Sequence, residues 1–222
     1  METGIQRPFP KPLPFYPIFD RVEWFEHLLP VLSSVSLPVE TPLWVQLRVK
    51  NVDEKSIRHI LRQCQIYCER YGCQLIVNDY WKIAIDEGCT FVHLGQEDLD
   101  TADISAIRRA NIRFGLSTHS EKELMRALAF APDYIALGPV YPTSLKAMKW
   151  GPQGLARVAQ WKQALGTIPL IAIGGMTVER ASTVWEAGAD GISVVSDILL
   201  NKHPKKRFQH WLHLSIHQFK QG

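Results

Sequence analysis

Short runs of β-branched and apolar residues recur along the chain, each followed by a longer stretch whose apolar positions return every three or four residues. The first pattern suits a strand buried on both faces and the second an amphipathic helix, so their alternation predicts βα units and a parallel sheet. Eight such runs stand out: Phe15–Phe19, Leu43–Leu47, Gln74–Val77, Thr90–Leu94, Ile112–Leu116, Asp133–Leu137, Ile168–Ile173 and Gly191–Val195. Helical stretches separate every pair. Between Asp53 and Tyr71, the residues Ile57, Ile60, Leu61, Cys64 and Cys68 share one helical face. The stretch Ser120–Phe130 opens on a capping serine with Glu123 three residues on. Gly188 closes the seventh helical pattern, and a segment bearing Leu and Trp finishes the chain. Eight repeats in about two hundred residues predict an α/β protein built as a single (β/α)8 TIM barrel over residues 15–222 rather than an open sheet.

Ahead of the first strand the pattern changes. Pro8, Pro10, Pro12, Pro14 and Pro17 crowd the first seventeen residues, each with a fixed φ and no backbone donor, so residues 1–14 read as an extended proline-rich N-terminal arm. Composition adds little beyond exclusions. With 25 Lys and Arg against 22 Asp and Glu, the net charge of +3 is too small and too evenly spread to imply nucleic acid or a membrane surface as partner. No apolar run reaches the roughly 18–20 residues of a membrane span, and no secretory leader pattern opens the chain, so the expected location is cytoplasmic. Cys64, Cys68, Cys73 and Cys89 lack zinc-site spacing and read as reduced structural thiols. His203, His210, His213 and His217, with Lys205, Lys206 and Arg207, read as a solvated basic face of the last helix.

A barrel of this type places its chemistry at the carboxyl ends of its strands. Those ends are densely polar here: Gln46, Arg48 and Lys50; Asn78 and Asp79; Gly95, Gln96 and Asp98; Ser117; Gly138, Thr143 and Lys146; Gly174 and Gly175; Ser196. Arg48 and Lys50, two residues apart, can face the same way and offer a guanidinium fork beside a point charge, which suits a diphosphate as well as it suits a solvated cation pair. Asp79 and Asp98, from neighbouring strands, read either as helix caps or as ligands of Mg²⁺. Cations facing both carboxylates favour the metal. Gly174-Gly175 and the segment Gly191–Ser196 fall where such barrels cradle a phosphate with backbone amides, and two phosphorylated ligands in one barrel imply group transfer. His93 and His119 lie near the mouth but receive no role, because a lone histidine at a strand end is more often packed than catalytic.

Taken in order, the motifs QLRVK (46–50), VNDYWKIAI (77–85), HLGQEDL (93–99), GLSTHS (115–120), YIALGPVYPT (134–143), IAIGGM (171–176) and GADGISVVS (188–196) resemble the thiamine-phosphate synthase family, from Phe15 to about Leu200. The resemblance implies a small-molecule transferase. It would join 4-amino-2-methyl-5-hydroxymethylpyrimidine diphosphate to a thiazole phosphate, giving thiamine phosphate and pyrophosphate through a dissociative, carbocation mechanism with one Mg²⁺ per subunit. Carried over by position, Gln46, Leu47, Arg48, Val49 and Lys50 with Asn78, Ser117 and Lys146 would hold the pyrimidine diphosphate, and Arg48, Lys50, Ser117 and Lys146 would form the catalytic set. Asp79 and Asp98 would bind the metal, and Thr143, Ser144, Leu145, Gly175, Val195 and Ser196 the thiazole phosphate. The chain departs from the family in three places: Tyr80 follows Asn78-Asp79 where Arg is commoner, Leu145 replaces a second threonine, and Lys149 and Trp150 are unusual in their loop. Two other readings share the barrel: a thiazole tautomerase, which needs neither diphosphate nor Mg²⁺, and a non-catalytic barrel that binds thiamine precursors. A homo-oligomer is compatible with the sequence, which carries no interface signature.

Overall fold

In a computed structural model, which describes residues 12–143 and 150–221, the eight strands close into one parallel barrel in the order β1 to β8. They are β1 (Phe15–Phe19), β2 (Leu43–Leu47), β3 (Cys73–Asn78), β4 (Phe91–Leu94), β5 (Arg113–Thr118), β6 (Tyr134–Leu137), β7 (Leu170–Ile173) and β8 (Gly191–Val194). The helices are α1 (Val22–Leu28), α2 (Glu54–Arg70), α3 (Trp81–Asp86), α4 (Ile104–Arg109), α5 (Glu121–Leu128), α6 (Gly154–Leu165), α7 (Ala181–Glu186), α8 (Ser196–Leu199) and α9 (Pro204–Gln221). Each predicted strand is present. Two extend further at their carboxyl ends than apolar runs suggest, because pairing continues through polar residues: Asn78 is in register with His93, and Ser117 and Thr118 with Ala136 and Leu137.

Local chemistry explains the helix boundaries. Asp53 caps α2 by accepting the Ser56 N–H at 2.9 Å and the Ser56 hydroxyl at 2.6 Å, and Ser120 caps α5 through the Glu123 N–H at 3.3 Å. Gly188, at φ 102°, turns the chain after α7 as a C-terminal glycine should. Of the arm, the described end is tied down: the Pro14 carbonyl accepts from the Ile192 N–H and the Trp185 indole, both at 3.0 Å.

Strand alternation divides the core in two. Outward residues such as Leu43, Val45, Leu47, Val77, Leu94 and Leu116 pack under the helices, with Cys64 and Cys68 of α2 among them. The four thiols form no disulfide, and burial pushes Cys73 and Cys89 up to about 12. Inward residues form a separate cluster of Tyr16, Ile18, Trp44, Ile76, Phe91, Tyr134, Ala136 and Ile171. Its centre is aromatic, with Trp44 edge-on to Phe91 at 5.1 Å and Tyr134 5.5 Å from Trp44 and 5.7 Å from Phe91. The helical wall is closed by α9, whose Phe208, Trp211, Leu212 and Ser215 are buried.

One sequence expectation needs correcting here. Lys205, Lys206 and His210 of α9 are exposed as a solvated face should be, but the Arg207 side chain is only 16% exposed. It lies on the buried side, where it meets the Asp197 carboxylate with Nε at 2.7 Å and Nη2 at 2.9 Å and reaches Glu179 at 2.8 Å.

Candidate active site

Along the first five strands the inward positions turn from apolar to polar toward the carboxyl end: Tyr16 to Asp20, Trp44 to Arg48, Ile76 to Asn78, Phe91 to His93, Gly115 to His119. The result is a cavity of about 310 Å³ over the aromatic layer. Gln46, Arg48, Asn78, Ser117, Thr143, Gly175, Val195 and Ser196, all singled out from sequence, line it together. Leu47 and Val49 are the alternate residues of the same segment, and at 1% and 8% exposure their side chains pack in the outer core. Ser144, Leu145 and Lys146, together with Lys149, lie outside the described residues.

Of the described charged candidates Arg48 lines the cavity, while Lys50, Asp79 and Asp98 meet one another just beyond its lining, past Asn78 at the end of β3. Lys50 Nζ is 3.4 Å from Asp79 Oδ2. Asp79 has a φ of 67°, a left-handed conformation that aspartate tolerates better than most residues, and its N–H donates to the His93 carbonyl at 2.9 Å. Asp98 folds back on its own loop, Oδ2 accepting the Gly95 N–H at 2.7 Å. Burial pushes the Asp98 carboxyl up, and Asp79 beside it pushes it further, while the Gly95 N–H and the Lys50 charge pull it down. Two carboxylates that crowd each other have a use for a shared cation, and two protein carboxylates are a usual contribution to a Mg²⁺ site completed by phosphate oxygens and water. Among the described residues no group of three or more His, Cys, Asp or Glu side chains forms a closed metal cage. The donor set therefore fits an ion completed by substrate better than a resident structural metal.

The opposite edge is backbone. Gly174 and Gly175 have φ of 97° and 64°, and a Cβ on Gly175 would lie 2.5 Å from the Pro142 carbonyl oxygen and 2.7 Å from Tyr141 Cβ. The loops after β6 and β7 can press together only because these residues lack side chains. The Val140 N–H donates to the Ile173 carbonyl at 2.9 Å and the Tyr141 N–H to Gly174 at 3.1 Å, while the Arg180 guanidinium sits 4.4 Å above the Tyr141 ring and donates to the Gly175 carbonyl. After β8, Val195 and Ser196 lead into α8, whose Asp197 is held by Arg207 and by the Trp211 indole at 2.8 Å.

Sequence reasoning left His93 and His119 unassigned, and both line the cavity. His93 Nδ1 lies 2.7 Å from the Tyr134 hydroxyl and Nε2 lies 2.8 Å from the Ser117 hydroxyl. Burial pushes this imidazole down to about 4, so it is neutral near pH 7. His119 binds Glu123 Oε2 through its own N–H at 2.7 Å and through Nδ1 at 2.9 Å, and Trp150 stacks on its ring at 6.3 Å and 9°. Asp20 also reaches the cavity, its carboxyl held low by Arg21. Strand periodicity could have found His93, which stands two residues after the inward Phe91.

Comparison with known proteins agrees with this architecture. A family model described as thiamine monophosphate synthase matches residues 16–198. The thiamine-phosphate synthase of Rhizobium etli is 53% identical over 199 residues, covering 90% of this chain and 93% of that protein. The thiamine-phosphate synthase of Cronobacter sakazakii is 44% identical over 196 residues, covering 88% and 89%. Among solved structures, the thiamine phosphate pyrophosphorylase of Pyrococcus furiosus superposes with a TM-score of 0.77 at 24% identity over 93% of this chain and 96% of that one, a likeness of fold. On the family match and these identities, the chain belongs to the thiamine monophosphate synthase family and is a (β/α)8-barrel transferase of thiamine biosynthesis.

Proposed function

We propose that the cavity carries out the thiamine-phosphate synthase reaction with its two ends divided between two phosphorylated substrates. The observation that carries this reading is the asymmetry of the mouth. Arg48, Lys50, Asp79 and Asp98 gather at the ends of β2 to β4, and the Gly174-Gly175 loop after β7, with Val195 and Ser196 after β8, lies across the barrel from them. The first edge suits 4-amino-2-methyl-5-hydroxymethylpyrimidine diphosphate, whose charge needs both cations and a metal. The second suits the single phosphate of the thiazole.

In this reading Gln46 and Asn78, only 1% and 5% exposed and facing the cavity, fix the pyrimidine end, with Ser117 beside them. Asp79 and Asp98 hold Mg²⁺, which when bound neutralises charge on the diphosphate as it departs. Arg48 and Lys50 do the same from the protein side, and losing one such donor typically costs on the order of 10²–10³ in rate. Pyrophosphate leaves first, the aminopyrimidine stabilises the methylene cation, and the thiazole nitrogen captures it. That sequence asks no side chain to act as nucleophile or general base. Leu47 and Val49, whose side chains belong to the core, contribute through their backbone, and Ser144, Leu145 and Lys146 are assigned to the thiazole phosphate and the diphosphate from the resemblance alone.

The test is direct. The purified chain, given both substrates and Mg²⁺, should form thiamine phosphate, detectable as its fluorescent thiochrome derivative. Formation of none by a folded protein, with isomerised thiazole phosphate appearing instead, would replace the transferase with the tautomerase.

A further inference from the structure

Four polar groups form a line through the barrel interior. The Tyr16 and Tyr134 hydroxyls are 3.2 Å apart, Tyr134 is 2.7 Å from His93 Nδ1, and His93 Nε2 is 2.8 Å from Ser117 Oγ. Tyr16, Tyr134 and His93 are 2%, 0% and 6% exposed; Tyr16, His93 and Ser117 all border the cavity, and Ser117, at the end of the line, is the least buried of the four. The His93 ring stacks on Tyr134 at 5.5 Å and 17°. The line exists because position 115 is glycine: any Cβ there would occupy the Tyr134 ring. Gln96 Nε2 fixes the other side of Ser117 by donating to its carbonyl at 2.7 Å.

Counting protons along the line gives Ser117 a direction. A neutral imidazole has one N–H and one lone pair, and each hydroxyl has one proton. Of the two hydroxyls on His93, the phenol is far more acidic than the serine alcohol, so Tyr134 is the natural donor to the ring lone pair. His93 then carries its proton on Nε2 and donates to Ser117 Oγ. The Ser117 proton, not needed within the line, is left for the cavity. In the opposite arrangement Ser117 would donate inward to Nε2 and show the cavity only lone pairs.

We infer that His93 is a positioning residue, held by Tyr134 in the Nε2–H tautomer so that the Ser117 hydroxyl presents its proton to a hydrogen-bond acceptor, a ring nitrogen of the pyrimidine substrate. This inference rests on the function proposed above. It also separates binding from chemistry. The Ser117 proton meets the ring nitrogen in the bound substrate and stays on it while the carbon–oxygen bond breaks, so it holds the two states alike. The line therefore serves recognition of the pyrimidine, and its loss should appear in KM with kcat preserved.

Tyr134→Phe removes the one hydroxyl that orients His93 and keeps the ring that packs. It should raise KM for the pyrimidine diphosphate on the order of 3–10-fold, the effect of one neutral hydrogen bond, with kcat within about twofold and KM for the thiazole phosphate unchanged. Added to Ser117→Ala, it should cause no further rise, because the two changes remove the same donor. Nitrogen NMR of ring-labelled protein, with His93→Gln used to assign the signal, should show the Nε2–H tautomer in the parent and a mixture in Tyr134→Phe. A fall in kcat with KM unchanged, full additivity with Ser117→Ala, or an Nδ1–H tautomer in the parent would each overturn the inference. The tautomer measurement needs no turnover, so an inactive parent protein would refute the proposed function while leaving this result readable.

Discussion

Replacing Arg207 with alanine should cost much more than the loss of a surface arginine, and the reason lies in what it leaves behind. Asp197 is 9% exposed and accepts three hydrogen bonds, from Arg207 Nε at 2.7 Å, Arg207 Nη2 at 2.9 Å and the Trp211 indole at 2.8 Å. In Arg207→Ala only the indole remains, and a mostly buried carboxylate loses its counter-charge. Breaking a fully buried pair from one side costs about 3–5 kcal/mol, and the Glu179 contact, whose carboxylate is 66% exposed, adds about 0–1 kcal/mol. Allowing for the residual exposure of this pair, a loss of about 2–4 kcal/mol is expected, or a fall in Tm on the order of 10 °C for a chain of this size. Urea unfolding followed by circular dichroism would measure it. Arg109→Ala serves as the control, because Arg109 meets Asp103 at 3.7 Å with both side chains more than half exposed, and it should change stability by about 0.5 kcal/mol at most. If the cost arises from an orphaned charge, adding Asp197→Asn to Arg207→Ala should recover part of it. A loss below about 1 kcal/mol, or a double variant weaker than the single, would refute the reasoning.

Arg207 also joins Glu179, after β7, to Asp197, after β8, so the same variant should raise KM for thiazole phosphate more than KM for pyrimidine diphosphate in steady-state assays. Arg48→Ala should do the reverse, and calorimetry showing equal loss for both ligands would mean the two ends are wrongly assigned. Gly175→Ala should destabilise by about 1–3 kcal/mol and weaken thiazole-phosphate binding, since its φ of 64° and the 2.5 Å approach of the Pro142 carbonyl leave a methyl no room; unchanged unfolding would contradict the loop packing. The Arg207–Glu179 pair has a pH signature as well: the guanidinium holds Glu179 down to about 2, so its contribution is present above the usual glutamate range and fades as pH falls through that range toward 2. Arg207→Ala should therefore lose less stability relative to the parent at pH 3 than at pH 7.

The barrel was legible because both of its periodicities are plain in the chain. Strands read from apolar runs match the observed ones within two residues at either end, and the two that run longer at their carboxyl ends, β3 and β5, do so for one reason. Asn78, Ser117 and Thr118 look like loop residues, yet their backbones stay in register with a neighbouring strand while their side chains serve the cavity or the interior. The cavity-lining polar residues were legible for the same reason, since a strand end is where a barrel can afford polarity. What escaped were partnerships across the fold. Nothing local separates Arg207 from Lys205 and Lys206; only the position of α8 against α9 shows that it is buried on Asp197. His93 looked like an isolated strand-end histidine because its partners, Ser117 and Tyr134, come from two other strands. Leu47 and Val49 fall inside a ligand-binding motif, yet strand alternation sends their side chains to the opposite face from Gln46 and Arg48.

The central claim is that Asp79 and Asp98 make one end of this cavity a metal–diphosphate site and that turnover needs both ends filled. Its most direct test is the initial rate of pyrophosphate release by the purified protein and by Asp98→Ala, with both substrates, with each omitted, and with Mg²⁺ chelated. The account expects release only with both substrates and the metal, restored when Mg²⁺ is added back, and a loss of at least about 10²-fold in a folded Asp98→Ala variant. Release that persists without Mg²⁺, or an Asp98→Ala rate near that of the parent, would contradict it.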